Sequence, residues 1–131
     1  MIVADASALV AIGDQEPDAD EYLAAFQHQR SVISQINYVE VGIILIGRRR
    51  LATQADLDKW LTRLDVSIEP GNDLAGIAMA AYLRFGRGFH PAKLNLGDCF
   101  AYALAKSLDA PLLYKGDDFA LTDIRSALQP T

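Results

Sequence analysis

Four places in this 131-residue chain set carboxylates in or against apolar stretches: Asp5, Glu40, Asp98 and the adjacent pair Asp117 and Asp118. Acids are seldom buried without partners, so a recurring set asks for a cation. Two carboxylates held about 4 Å apart repel by roughly 4 kcal/mol at an effective dielectric near 20, and a divalent ion relieves that directly. No cysteine or histidine pattern joins the set: Cys99 stands alone, and His28 and His90 are far apart. A donor set made only of carboxylate oxygens suits a hard cation, Mg²⁺ or Mn²⁺, better than zinc. The isolated histidines also argue against a hydrolase that works by imidazole acid-base chemistry without metal.

Each acid also has an ordinary structural explanation. Asp5 follows the apolar run Ile2-Val3-Ala4 and is either a helix N-cap or a ligand at the carboxyl end of a strand. Asp98 follows Asn95 by three residues, the spacing of a weak capping box. Asp117 and Asp118 after Gly116 read as an acidic turn, and because adjacent side chains diverge, only one would enter a site. Glu40 is harder to dismiss. It is the sole charge in the 17 residues from Ser31 to Gly47, and helical spacing sets it among Ile36, Ile43, Ile44 and Gly47 on a face predicted to be buried. There it needs a cation, an arginine partner or a raised pKa.

The elements that must carry these acids alternate. Strands are predicted at 2–4, 31–33, 66–68 and 111–114, with a last short one near 124–128. Between them, helices are expected from Asp5 into the following turn, over 18–29, from an N-cap at Ser34 to about Arg48, around Leu57-Trp60-Leu61-Leu64, over 74–85 and from about Asp98 to Leu108. Pro70-Gly71-Asn72 reads as a turn, and residues 86–97, with three glycines and Pro91, as a long loop. Strands alternating with helices imply a parallel sheet covered on both faces. The length fits one domain, 1–131, without disulfides.

A net charge of −5 and a pI of about 4.8 argue against coating nucleic acid by bulk positive charge. Local cations would have to meet any phosphate. The candidates are Arg48, Arg49 and Arg50, which also fit as partners of a helix C-terminus, and Arg84, Arg87, His90, Lys93 and Lys115 around the long loop and the last acids. Ser7 could hydrogen-bond Asp5 or a water beside it, or be a plain first-turn residue. The lone cysteine, and a charge reached at the fifth residue with no membrane-length apolar run, point to a soluble, cytoplasmic protein.

The stretch Gly88-Phe89-His90-Pro91-Ala92-Lys93-Leu94-Asn95-Leu96-Gly97-Asp98-Cys99-Phe100-Ala101-Tyr102-Ala103-Leu104-Ala105 resembles the C-terminal half of VapC-type toxins, ribonucleases of the PIN-domain family. Val3-Ala4-Asp5-Ala6-Ser7-Ala8-Leu9, Tyr38-Val39-Glu40 and Leu112-Leu113-Tyr114-Lys115-Gly116-Asp117-Asp118-Phe119 resemble that family's other motifs, in the expected order. The resemblance implies a three-layer α/β/α sandwich on a mostly parallel sheet of about five strands, and Mg²⁺-dependent cleavage of RNA. By position it makes Asp5 and Asp98 the principal metal ligands and Glu40 the third acid. Asp118 is favoured over Asp117 as the fourth. It further implies a VapB-type antitoxin as partner and a homodimer or larger oligomer. Two other classes share features of this pattern: a PIN-like interaction module without metal, which the intact acids disfavour, and a phosphoryl-transfer receiver domain, which would need an acidic pair after its first strand. A haloacid-type phosphatase would need an aspartate where Ser7 stands.

Overall fold

Alternation along three buried strand residues decides how the layers form. The computed structural model describes residues 1–71 and 73–128, so Asn72 of the expected turn lies outside the described residues. Strand β1 (Ile2–Ala4) is wholly buried, and its side chains point alternately to the two faces of the sheet. Val3, with Val32 and Leu112, packs on one side against α5 (Ala75–Phe85) and α6 (Leu96–Leu108). Ile2 and Ala4, with Ile33 and Leu113, pack on the other against α1 (Ala6–Gly13), α2 (Ala19–His28), α3 (Gln35–Gly47) and α4 (Gln54–Arg63). Two apolar cores separated by a sheet give the expected α/β/α sandwich, each fully buried aliphatic side chain contributing roughly 1.5–3 kcal/mol.

The sheet is parallel throughout, in the order β3 (Val66–Ile68), β2 (Ser31–Ile33), β1, β4 (Leu112–Leu113). The chain builds outward from β1 to β2 and β3, then returns to add β4 on the other flank of β1. The strand order therefore reverses beside β1, the crevice where open α/β sheets bind ligands, and Asp5 is the first residue past its carboxyl end. Four strands form rather than about five. The segment expected at 124–128 contributes a single parallel bridge, Leu112 to Ser126, flanked by Leu112 N donating to Arg125 O and Ala127 N donating to Leu112 O. A two-residue β4 offers too short an edge for a longer ladder.

Most helix starts follow the local signals. Ser34 accepts from Asn37 N at the head of α3, and Thr53 with Asp56 closes a capping box on α4. The loop after α5 ends earlier than expected, because Asn95 caps α6 and brings Leu96 and Gly97 into its first turn. Among the described residues no helix is long and apolar enough to cross a membrane.

Candidate active site

Asp5 is the N-cap of α1 and a buried acid at once. Its Oδ2 accepts from Ser7 N at 3.1 Å and from Ser7 Oγ at 2.5 Å. Ser7 Oγ in turn accepts from Lys115 N at 2.9 Å, which ties the start of α1 to the segment after β4. Asp5 is only 5% exposed, and burial pushes its carboxyl up to about 7; the charges of Asp98 and Glu40 add to the rise, while the Ser7 bonds oppose it.

Glu40 is positioned by a residue the sequence reading passed over. Asn37 is fully buried; its Oδ1 accepts from Ser34 Oγ at 2.5 Å, and its amide donates to Glu40 Oε1 at 2.7 Å and to Gly97 O at 3.0 Å. The amide thus joins α3 to the first turn of α6, one residue before Asp98. Gly97 leaves room for this: a Cβ there would overlap both carboxylate oxygens of Glu40. The expectation of a buried Glu40 face needs correction. Ile43 is 68% exposed, Gly47 is exposed and Glu40 is half-buried, whereas Asn37, Val41 and Leu45 form the face turned into the core. In a helix apolar on nearly every side, periodicity does not tell which stripe is covered. Among the described residues Glu40 is bonded by the Asn37 amide and by no Lys or Arg.

Asp98 sits in the capping box of α6, its Oδ2 accepting from Asn95 N at 3.1 Å while its own N–H donates to Asn95 Oδ1 at 2.9 Å. Burial raises its carboxyl above the ordinary range, and the charges of Glu40 and Asp118 add to this against the opposing Asn95 N–H. Asp5, Glu40 and Asp98 line one cavity of about 200 Å³, walled by Ser7, Val10 and Ile44. No Lys or Arg among the described residues pairs with any of the three. Among the described residues, no group of three or more Asp, Glu, His and Cys side chains stands ready-made to hold an ion. Asp5 is turned to Ser7, Asp98 back to Asn95 and Glu40 to Asn37, so each carboxylate has found a neutral donor. The set still fits a hard cation, since three oxygen-donor acids face one space with no positive charge to offset them.

Asp117 and Asp118 are both exposed and outside the cavity lining. They are not equivalent, because the charge of Asp118 acts on Asp98. Asp118 also precedes the 3₁₀ turn Phe119–Leu121, whose Leu121 N donates to Asp118 O.

Several candidate cations are committed elsewhere. Lys115 Nζ donates to Glu16 Oε1 at 2.7 Å and to Asp18 Oδ1 at 3.0 Å, rather than turning to the acids beside it in sequence. Arg84 lies over the Phe85 ring and 3.6 Å from Asp123, toward the far end of α6. His90 Nδ1 accepts from Ala92 N at 3.0 Å, so the ring fastens its own loop. Arg48 and Arg50 both engage Asp14 at the end of α1, the structural role open to them. Arg87 and Lys93 remain exposed, and neither forms an ion pair among the described residues.

A carboxylate cavity at the switch point of a parallel sheet invites comparison with known proteins. The PIN domain family profile matches residues 2–124. "VapC ribonuclease Mb0640" of Mycobacterium bovis is 42% identical over 98% of this chain and 100% of its own length. "Ribonuclease VapC30" of Mycobacterium tuberculosis shows the same identity and coverage. The chain belongs to the PIN-domain family, among the VapC ribonucleases. A further VapC ribonuclease, from Mycolicibacterium smegmatis, is 44% identical over 94% of this chain and 97% of its own. The fold agrees with a crystal structure of Mycobacterium tuberculosis VapC20, described as a sarcin-ricin loop cleaving toxin, at a TM-score of 0.67 over 95% of this chain and 99% of that one, with 18% sequence identity.

Proposed function

We propose that this VapC-family ribonuclease, the toxin of a toxin–antitoxin pair, hydrolyses RNA phosphodiester bonds with Mg²⁺, or Mn²⁺ in its place, held by Asp5 and Asp98. The observation that carries this is the cavity shared by Asp5, Glu40 and Asp98, in which a carboxyl that is 5% exposed faces two further acids and none of the three is paired with a Lys or Arg among the described residues. A bound Mg²⁺ supplies positive charge for the phosphate oxygens and lowers the pKa of water. Ser7 holds Asp5 in place through Oδ2, and no protein bond to Oδ1 competes for a metal among the described residues. Glu40 is held by Asn37 through Oε1, and in this reading its carboxylate orients the attacking water and receives its proton. Asp118 adds negative charge beside Asp98 and is the fourth acid in preference to Asp117. Arg87 and Lys93 are the cations best placed to receive substrate phosphates, since Arg84, His90 and Lys115 are otherwise engaged.

Residues 1–131 act in this reading as a single PIN-like unit in the cytoplasm, restrained by a VapB-type antitoxin and self-associating as a dimer or larger oligomer. The chemistry of the products tests the mechanism. With water as nucleophile rather than the ribose 2′-hydroxyl, purified protein incubated with structured RNA and Mg²⁺ should yield ends free of 2′,3′-cyclic phosphate, and EDTA should stop the reaction. Cyclic phosphate ends formed in EDTA would exclude it.

A further inference from the structure

The loop that delivers Asp98 carries an exposed aromatic ring that no core contact explains. Phe89 is 59% exposed on a segment pinned at both sides. Phe89 N and His90 N both donate to Gly86 O, Arg87 N donates to Leu94 O and Leu94 N to Phe85 O. Gly88, at φ +92°, makes the turn that sets the ring at the tip. Tyr82 meets Phe89 edge to face, with centroids 5.4 Å apart at 82°. A T-shaped contact covers at most one face of either ring, so a face of Phe89 stays open.

The ring's surroundings favour RNA over the ordinary explanation of a stray surface hydrophobe. Arg87 and Lys93 flank it in sequence, both exposed, and neither has an ion-pair partner among the described residues. The ring reaches toward the acids through its neighbour: Tyr82, which meets Phe89, shares a groove with Leu96 and Phe100, and those two line the next groove together with Glu40. That second groove also carries Glu69 and Asp73 on its rim, so it suits a base rather than a phosphate. We infer that Phe89 is a stacking platform for an unpaired base of the RNA substrate, with Arg87 and Lys93 as the adjoining phosphate contacts. The inference rests on the reading of the acids as an RNA-cutting site and adds to it the residue that receives an unpaired base.

The test uses the full chain. In EDTA, so that nothing is cut, Phe89→Trp is titrated with a single-stranded oligonucleotide and with a duplex of the same sequence. Expected is saturable quenching of the emission introduced at position 89 by the single strand and little by the duplex. With Mg²⁺, Phe89→Ala should raise KM for RNA roughly 5- to 100-fold, the usual loss of one stacked base, while kcat and melting temperature stay near wild type. Phe89→Tyr should restore KM and Phe89→Leu should not. Unchanged KM in Phe89→Ala, or equal rescue by leucine, would overturn the inference. So would quenching by added wild-type protein instead of RNA, which would assign the ring to a protein interface. Failure of the wild type to cut any RNA would count against the acids alone, because the quenching in EDTA is read independently.

Discussion

Asp5→Asn is expected to abolish RNA cleavage and, in the same sample without metal, to stabilise the fold. The two effects share one cause. Asp5 is 5% exposed, and its carboxyl is raised from 3.8 to about 7, chiefly by burial and then by Asp98 and Glu40. For an acid whose folded pKa lies above its unfolded one, the associated stability is fully present below the unfolded value and is lost as pH rises through the folded value. The metal-free wild type should therefore lose stability between about pH 4 and pH 7, by up to about 4 kcal/mol at roughly 1.4 kcal/mol per unit. An asparagine still accepts the Ser7 bonds and has no charge to desolvate. Its melting temperature should exceed that of wild type by on the order of 10–20 °C at pH 8 and match it near pH 4. Saturating Mg²⁺ should raise the melting temperature of the wild type and leave that of the variant unmoved. Cleavage should fall by about 10³-fold, the upper range for loss of one electrostatic stabiliser. Thermal denaturation across pH with and without Mg²⁺, beside a cleavage assay, reads all of this. A variant less stable than wild type at pH 8 would contradict it.

Gly97→Ala separates positioning from folding more sharply. The added Cβ would overlap Oε1 and Oε2 of Glu40. These atoms end a flexible side chain, so the clash is relieved by rotating Glu40 away, at little cost to the fold; alanine even gains up to about 1 kcal/mol over glycine inside a helix. Rotation, however, breaks the 2.7 Å bond from Asn37 and takes the acid out of the cavity. Expected is a melting temperature at or above wild type, with cleavage down by about 10- to 100-fold, the usual cost of losing a group that orients the site. Asn37→Ala reaches the same end from the other side with a different signature. It takes away the acceptor of the buried Ser34 hydroxyl and the amide bond to Gly97 O, and should cost roughly 1–3 kcal/mol of stability as well as activity. Full activity in Gly97→Ala would show that the placement of Glu40 is immaterial.

What could be read from the sequence was local. The starts of α1 and α3 follow from Asp5 and Ser34, whose partners lie within three residues, and the bounds of β1, β2 and β3 follow from short apolar runs, whereas α6 starts two residues before the expected Asp98, with Asn95 as its cap. What escaped depends on contacts between distant residues. Lys115 finds Glu16 and Asp18 across the chain, and Arg84 finds Asp123, so neither is free in the way its position beside a motif suggested. The open side of α3 escaped because isoleucines on every face give period 3.6 no contrast. Asn37 did leave a trace, as an amide three residues after the Ser34 cap and three before Glu40. Its reach to Gly97, 60 residues on, did not.

The proposal that these carboxylates hold a metal for cutting RNA is tested most directly by one rate measurement. Initial rates of cleavage of a structured RNA are followed from EDTA through a Mg²⁺ titration, for wild type and Asp98→Asn together. Expected is no cleavage in EDTA, a saturable rise with Mg²⁺ for the wild type, and no rise for the variant at any Mg²⁺ concentration. Cleavage by the wild type in EDTA, or a variant that follows the wild-type curve, would contradict it.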